Sequence, residues 1–248
     1  EVYAKQEKKF ADYDYEDYNL KPKEQAEMMG GVSTKLGNWN CYDGVQVHWE
    51  YSPKFEETKK YNIDTLRVTS RRVITQKCPQ SLLIEGMISP DSSFTVSTLL
   101  KQISECKAEH NEVGQVTISM ASSGGILKDG YTLGDALRKY KVKTTIENTK
   151  TCASSCAVAF LGGVSRDIEP NGIILFHSPY YTSDDASPEI NCDIGMEVKN
   201  ELNSYYNQMI GETNGNRIFE RAMWYCDKSN GWTIKGNEGA ALYGITVT

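Results

Sequence analysis

The sequence predicts an α/β protein, a domain of alternating strands and helices around a largely parallel sheet, with an N-terminal extension of different texture before it. Three observations carry this expectation. From Ser81 onward, short apolar runs alternate several times with amphipathic helical patterns. Between residues 41 and 80 the pattern is instead period two, and the first 40 residues are polar and dotted with tyrosine.

Residues 1–40, with "FADYDYEDYNLKPKEQAEMMGG", show little periodicity beyond a possible helix over "PKEQAEMM" and read as an arm. Residues 41–80 alternate in "VQVHWEY" and "TLRVTSRRVITQ", which predicts a small antiparallel β-rich extension, too small to fold alone. The domain proper spans residues 81–248. "SLLIEGMI" predicts a buried strand, "FTVSTLLKQISECKAEH" an amphipathic helix and "GQVTISM" a second strand. A turn "ASSGG" follows, then a helix over "YTLGDALRKY", a strand "VKTTIE", the stretch "TKTCASSCAVAFLGG" and a strand "GIILFH". Two helical patterns, "EINCDIGMEVKNELNSYYNQMIGET" and "NRIFERAMWYC", precede the closing "EGAALYGITV", and no internal repeat is found.

A chain of 248 residues can bury a full core. Its net charge of -6 lacks the footprint of a nucleic-acid binder, and the short run Ser70–Arg72 reads as an exposed strand edge. The longest apolar runs fall well short of the roughly 20 residues that span a bilayer, so no membrane span is expected. Seven cysteines without a CxxC pair favour an oxidising compartment over a zinc site, and the start at Glu1 fits a processed secretory product or a recombinant one. A periplasmic or secreted location is expected. Cys41 with Cys78, and Cys192 with Cys226, are candidate bridges; an odd count leaves one thiol free or paired between chains.

The search for a general base is short, because there are three histidines. His48 alternates within a strand and reads as structural, and His110 in "KAEHNE" reads as solvated. His177 ends the apolar strand "GIILFH" and precedes "SP", where active-site residues of α/β proteins emerge. Ser154 follows a strand and opens the helix "SCAVAFL", a place that favours developing negative charge and also suits an ordinary N-cap serine, a role for which Ser155 competes. The glycine pair in "SSGG" would let the main chain approach a substrate closely.

Together these pieces resemble the Clp protease proteolytic subunit and its ClpP-like relatives, within the ClpP/crotonase fold. That family carries a Pro-Gly-Gly turn, an Ala-Ser-Met nucleophile helix ending in glycine, a Pro-Asn segment leading to His-Gln-Pro, and an Asp before a terminal Tyr-Gly. The counterparts here are "SSGGILKDGYTLGDALR", "CASSCAVAFLGG", "EPNGIILFHSP", "CD" at 226–227 and "EGAALYGITV", in the same order. "CASSC" is also similar to the Cys-Ala-Ser-x-Cys signature of bacterial ClpP-like proteins predicted to be periplasmic.

The resemblance covers about residues 81–248 and implies a spiral of ββα units acting as a serine endopeptidase on peptides or unfolded proteins. By the same resemblance Ser154, nine positions before Gly163, is the nucleophile, His177 the base and Asp227 the orienting acid. An oxyanion would be held by the N–H of Ser155 and one from Gly124 or Gly125, with Ser123 and Ser178 lining the cleft. No metal or cofactor is required. Family behaviour also implies a homo-oligomer, and Ile194, Val198, Leu202, Tyr205 and Met209 form a helical stripe that suits either core or interface.

The sequence departs from the family in three places. Ser123 replaces the proline before the glycine pair, and "KSNGWTIKGN" lengthens the interval from Asp227 to Tyr243. Cys152 and Cys156 flank the serine at i, i+4, as two packed thiols or as a geometrically demanding disulfide. Asp184, Asp185 and Asp193 are rival acids in the loop after His177. Two other readings keep the fold: a catalytically silent, secreted oligomeric module binding through its tyrosine-rich arm, and a crotonase-type acyl-CoA enzyme using the paired N–H groups.

Overall fold

The computed structural model describes residues 39–42, 45–52, 56–63, 65–73, 76–182, 190–226 and 231–247. Nearly all of the expected arm lies outside them, as do Asp184, Asp185 and Asp227.

The period-two stretch becomes an antiparallel meander of β1 (Trp39–Tyr42), β2 (Val45–Ser52), β3 (Glu56–Ile63) and β4 (Leu66–Val73), paired in chain order. It continues directly into the domain sheet, because β4 pairs antiparallel with β5 (Ser81–Ile88), Val68 opposite Ile84. The alternation in β4 shows why: Leu66 and Val68 turn into the main core while Arg67 faces solvent.

Next comes α1 (Pro90–Glu109), which opens with Pro90 in its first turn and a reciprocal capping box between Ser89 and Ser92, and buries Val96, Leu99, Leu100 and Ile103 along one face. It delivers the chain to β6 (Thr117–Gly125), parallel to β5. The end of α1 also carries Cys106, which forms a disulfide with Cys78. The expected Cys41–Cys78 bridge is therefore not made. Cys41 lies in β1, three strands beyond β4 in the sheet order.

The expected "ASSGG" turn is the end of β6 instead. After a register shift between Glu85 and Met87, Met87 and Ile88 of β5 pair with Gly124 and Gly125, which keeps the glycines in extended pairing. From here the chain runs through α2 (Leu127–Lys139), β7 (Lys143–Ile146), β8 (Thr151–Ala153), α3 (Ser155–Phe160), β9 (Ser165–Ile168) and β10 (Ile173–Phe176). Strand β6 splits the sheet: Thr117–Ser119 pair with β7, which continues to β9, while Ser122 pairs with Cys152 of β8, which continues in parallel to β10. That divergence collects the C-terminal ends of β6, β8 and β10 in one place.

Helix α3 is apolar apart from Ser155 and its residues are buried, the position such a helix takes. A small ribbon of β11 (Tyr181–Thr182) and β12 (Ile190–Asn191) leads to α4 (Met196–Ile210) and α5 (Glu212–Ala222). Of the expected stripe, Ile194 just before α4 and Leu202, Tyr205 and Met209 on it are buried within the chain itself, while Val198 is half-buried. Finally β13 (Trp232–Lys235) pairs antiparallel with β10 and is followed by α6 (Gly236–Ala241). Arg166 ties down the tail, donating to the carbonyls of Gly163 (2.6 Å), Ile245 (2.7 Å) and Gly244 (3.2 Å). Burial, with the nearby Arg138 charge, pushes its guanidinium down to about 10. Among the described residues no helix is long and apolar enough to cross a membrane.

Candidate active site

Ser154 stands where β8 stops and α3 starts, at φ 58 and ψ -129. Residues other than glycine avoid this region, and holding one there costs about 1–3 kcal/mol. The backbone is fixed from both sides: the Ser154 N–H donates to the Leu175 carbonyl of β10 (2.9 Å), and its own carbonyl accepts from the Val158 N–H (3.1 Å). The residue thus serves as N-cap through its main chain. Its side chain makes no cap hydrogen bond, so the hydroxyl is not spent on the helix. Ser155, by contrast, is 2% exposed, and its hydroxyl is buried without a hydrogen-bond partner among the described residues.

His177 follows the last residue of β10. Because Ala153 of β8 sits opposite Leu175 of β10, Ser154 and His177 emerge from neighbouring parallel strand ends. The imidazole is buried beside the Tyr180 ring, with Nδ1 2.8 Å from the Ser178 carbonyl oxygen. That contact suits the tautomer with the proton on Nδ1, in which Nε2 is the basic nitrogen.

The end of β6 closes the third side. A Cβ on Gly124 would lie 2.5 Å from the Ser154 Cβ and 3.1 Å from its Oγ, so the glycine backbone is in direct contact with the serine. Gly124 has φ +104, and its N–H donates to Ser122 Oγ at 3.0 Å. Gly125 is exposed toward the same space. Ser123, Gly124, Gly125, Ser154, Ser155 and His177 all line one cavity of about 560 Å³.

The remaining walls belong to residues that carried no site role in the sequence reading. Tyr131, Tyr206, Leu202 and Val158 face the cavity, with Lys128 and Glu201 also on its lining. Burial raises both phenols above their ordinary range, with the Glu201 charge adding to Tyr131 and Tyr131 adding to Tyr206. Both stay neutral, and the Tyr131 hydroxyl is buried without a hydrogen-bond partner among the described residues. Both tyrosines lie in segments that read as helices, and nothing in helical spacing separates a core tyrosine from a cavity wall.

The position expected to supply the acid is approached through its neighbours. Asp227 lies outside the described residues, but Tyr225, two positions earlier, accepts the Ser178 N–H at 2.7 Å. Cys226 is joined to Cys192 by the expected disulfide. The strand end that carries His177 is thereby stitched to the chain just before Asp227. The same bridge brings up the segment holding Asp193, which is exposed.

No family model and no curated protein sequence matches the chain. Among solved structures, a mutant of the 1510-N membrane-bound stomatin-specific protease superposes with a TM-score of 0.51 at 17% identity, covering 67% of this chain and 75% of that one. Another mutant of that protease, in complex with a substrate peptide, gives 0.49 at 17% over 67% and 71%. ClpP1 from Listeria monocytogenes gives 0.48 at 20% over 67% and 88%. With its parallel strands diverging from β6 around a buried central helix, and with the first of these superpositions, the chain has a ClpP-like α/β fold.

Proposed function

We propose that the chain is a serine peptidase, with residues 81–248 as its catalytic domain and Ser154 as the nucleophile. The observation that carries this reading is the strained turn at Ser154, whose hydroxyl is left out of helix capping and lines the same cavity as His177. A serine held at such cost, with its hydroxyl unspent on structure, is what a nucleophile requires. That a solved structure of similar fold is a protease supports the choice of chemistry.

In the reaction Ser154 Oγ attacks the peptide carbonyl carbon while His177 Nε2 accepts the hydroxyl proton. The tetrahedral oxyanion is held by the N–H of Ser155, at the first turn of α3, and by that of Gly125, since the Gly124 N–H is already given to Ser122 Oγ. Collapse breaks the C–N bond, His177 returns the proton to the departing amine, and water hydrolyses the acyl-enzyme by the same steps. Asp227 orients the imidazolium. The substrate is a peptide or unfolded segment laid over the cavity. The enzyme works outside the cytoplasm, as its three disulfides suit, and as a homo-oligomer.

Hydrolysis of activated peptide esters and of unfolded casein tests the reading. Ser154→Ala is expected to abolish turnover and Ser155→Ala, which keeps its N–H, to retain most of it. Full activity in Ser154→Ala, or loss in Ser155→Ala alone, overturns the assignment.

A further inference from the structure

The Cys152–Cys156 disulfide closes a ring of backbone whose middle residue is Ser154. The other two disulfides join residues 28 and 34 positions apart and tie separate elements together. A bridge across a separation of 4 does little of that, since the stabilisation a cross-link draws from chain entropy shrinks with the loop it closes. Its effect is local, and what is local to it is the turn at Ser154.

Each end of the bridge is anchored. Cys152 is held in β8 between Ser122 of β6 and Ile174 of β10, and Cys156 is in the first turn of α3, with both side chains fully buried. Between them, Ser154 occupies backbone angles that an unrestrained serine leaves. Two backbone hydrogen bonds, Ser154 N–H to the Leu175 carbonyl and Val158 N–H to the Ser154 carbonyl, also hold the turn, but each is a single non-covalent contact beside the covalent bridge. Helix α3 has six residues, too few to nucleate by itself, and no side chain caps it.

Building on the reading of Ser154 as nucleophile, we propose that Cys152 and Cys156 are positioning residues for it. The closed disulfide fixes the strand end to the first helical turn and so aims Oγ at the cavity; opening it lets the turn relax, and the enzyme is active only after oxidation. In the activating direction the two thiols lose two protons and two electrons to a disulfide oxidant, itself reduced to a dithiol. In reverse, a dithiol reductant's thiolate attacks one sulfur to form a mixed disulfide, and its second thiol releases the reduced pair. Because both sulfurs are buried, reduction proceeds through local opening and is slow in the intact chain.

The test compares oxidised parent, Cys152→Ala/Cys156→Ala and Cys78→Ala/Cys106→Ala, using an activated peptide ester. In the first variant kcat is expected to fall by about tenfold or more, as a misplaced nucleophile does, with KM within about twofold; the second variant is expected to keep its kcat. Circular dichroism checks folding. Should the first variant not fold, parent reduced under native conditions and reoxidised with glutathione disulfide takes its place. Its kcat is expected to fall and return in step with this bond, followed by alkylation and mass mapping. An unchanged kcat with the bond open overturns the proposal. Amide hydrogen exchange over residues 153–158 reads the clamp independently of turnover. A parent without turnover sinks the peptidase reading, while the clamp then stands on about tenfold faster exchange upon opening and falls if protection is unchanged.

Discussion

Replacing Gly124 with alanine perturbs the nucleophile through a single methyl group. The added Cβ would sit 2.5 Å from the Ser154 Cβ, 2.8 Å from the Ala153 carbonyl oxygen and 3.1 Å from Ser154 Oγ. Carbon atoms in contact prefer about 3.5–4.0 Å, so serine and strand must part by about 1 Å. A displacement of that size at a reacting group costs roughly 100-fold in rate, about 2.7 kcal/mol of barrier. The φ of +104 adds about 1–3 kcal/mol of lost stability for a residue with a side chain. Gly125→Ala is the natural contrast. There the Cβ would lie 1.9 Å from the Ile88 carbonyl oxygen, within the β5–β6 pairing, so the cost falls on the sheet. Ester turnover and thermal unfolding of both variants separate the effects. Gly124→Ala should stay folded and lose about two orders of magnitude in kcat, and Gly125→Ala should lose more in Tm. A Gly124→Ala protein with turnover within about twofold of the parent, under 0.5 kcal/mol of barrier, would refute the placement of the glycine strand against the nucleophile.

Asp227→Asn is expected to lower kcat by about 100-fold or more by favouring the wrong histidine tautomer, and Asp193→Asn to leave it nearly unchanged; the reverse pattern would move the acid to the segment bridged through Cys192. Asp129, in the first turn of α2, has a carboxyl raised above its ordinary value, chiefly by burial, with a Ser93 hydrogen bond and the Lys128 charge partly offsetting. A raised acid in the folded state penalises folding above that pKa, and the penalty fades as pH falls through it toward the unfolded value. Asp129→Asn should therefore raise Tm at neutral pH, with the gain shrinking on acidification, and a Tm difference that stays constant with pH would contradict this.

Much of the architecture was legible in the sequence because long elements declare themselves by period. The helix over Pro90–Glu109 shows its apolar face at Val96, Leu99, Leu100 and Ile103, and β4 shows alternation at Leu66 and Val68. Strands β8, β9 and β13 have three or four residues each, too few to show a period, and exist because neighbouring strands recruit them. In particular Trp232–Lys235 falls in the stretch that lengthens the tail, and it extends the sheet beside the strand of His177. The "ASSGG" segment carries the composition of a turn, yet pairing with Met87 and Ile88 makes it strand. Disulfide partners follow from where elements return in space. Cys106 comes back to Cys78 at the end of a 20-residue helix, a meeting that no local pattern announces. Ser154 and His177 stood out as candidates by their positions at strand ends and by the family resemblance, whereas the positive φ of Ser154 emerges from the packing of β8, β10 and α3 around it.

The central claim is that Ser154 is a nucleophile served by His177. A fluorophosphonate, which phosphonylates activated serines and leaves ordinary hydroxyls alone, tests it on the purified, oxidised chain with the adduct mapped by mass spectrometry. A single adduct on Ser154, formed at least about 100-fold more slowly in His177→Ala as the loss of a general base requires, is the expected result. No adduct, an adduct on Ser155, or a labelling rate unaffected by loss of His177 would contradict it.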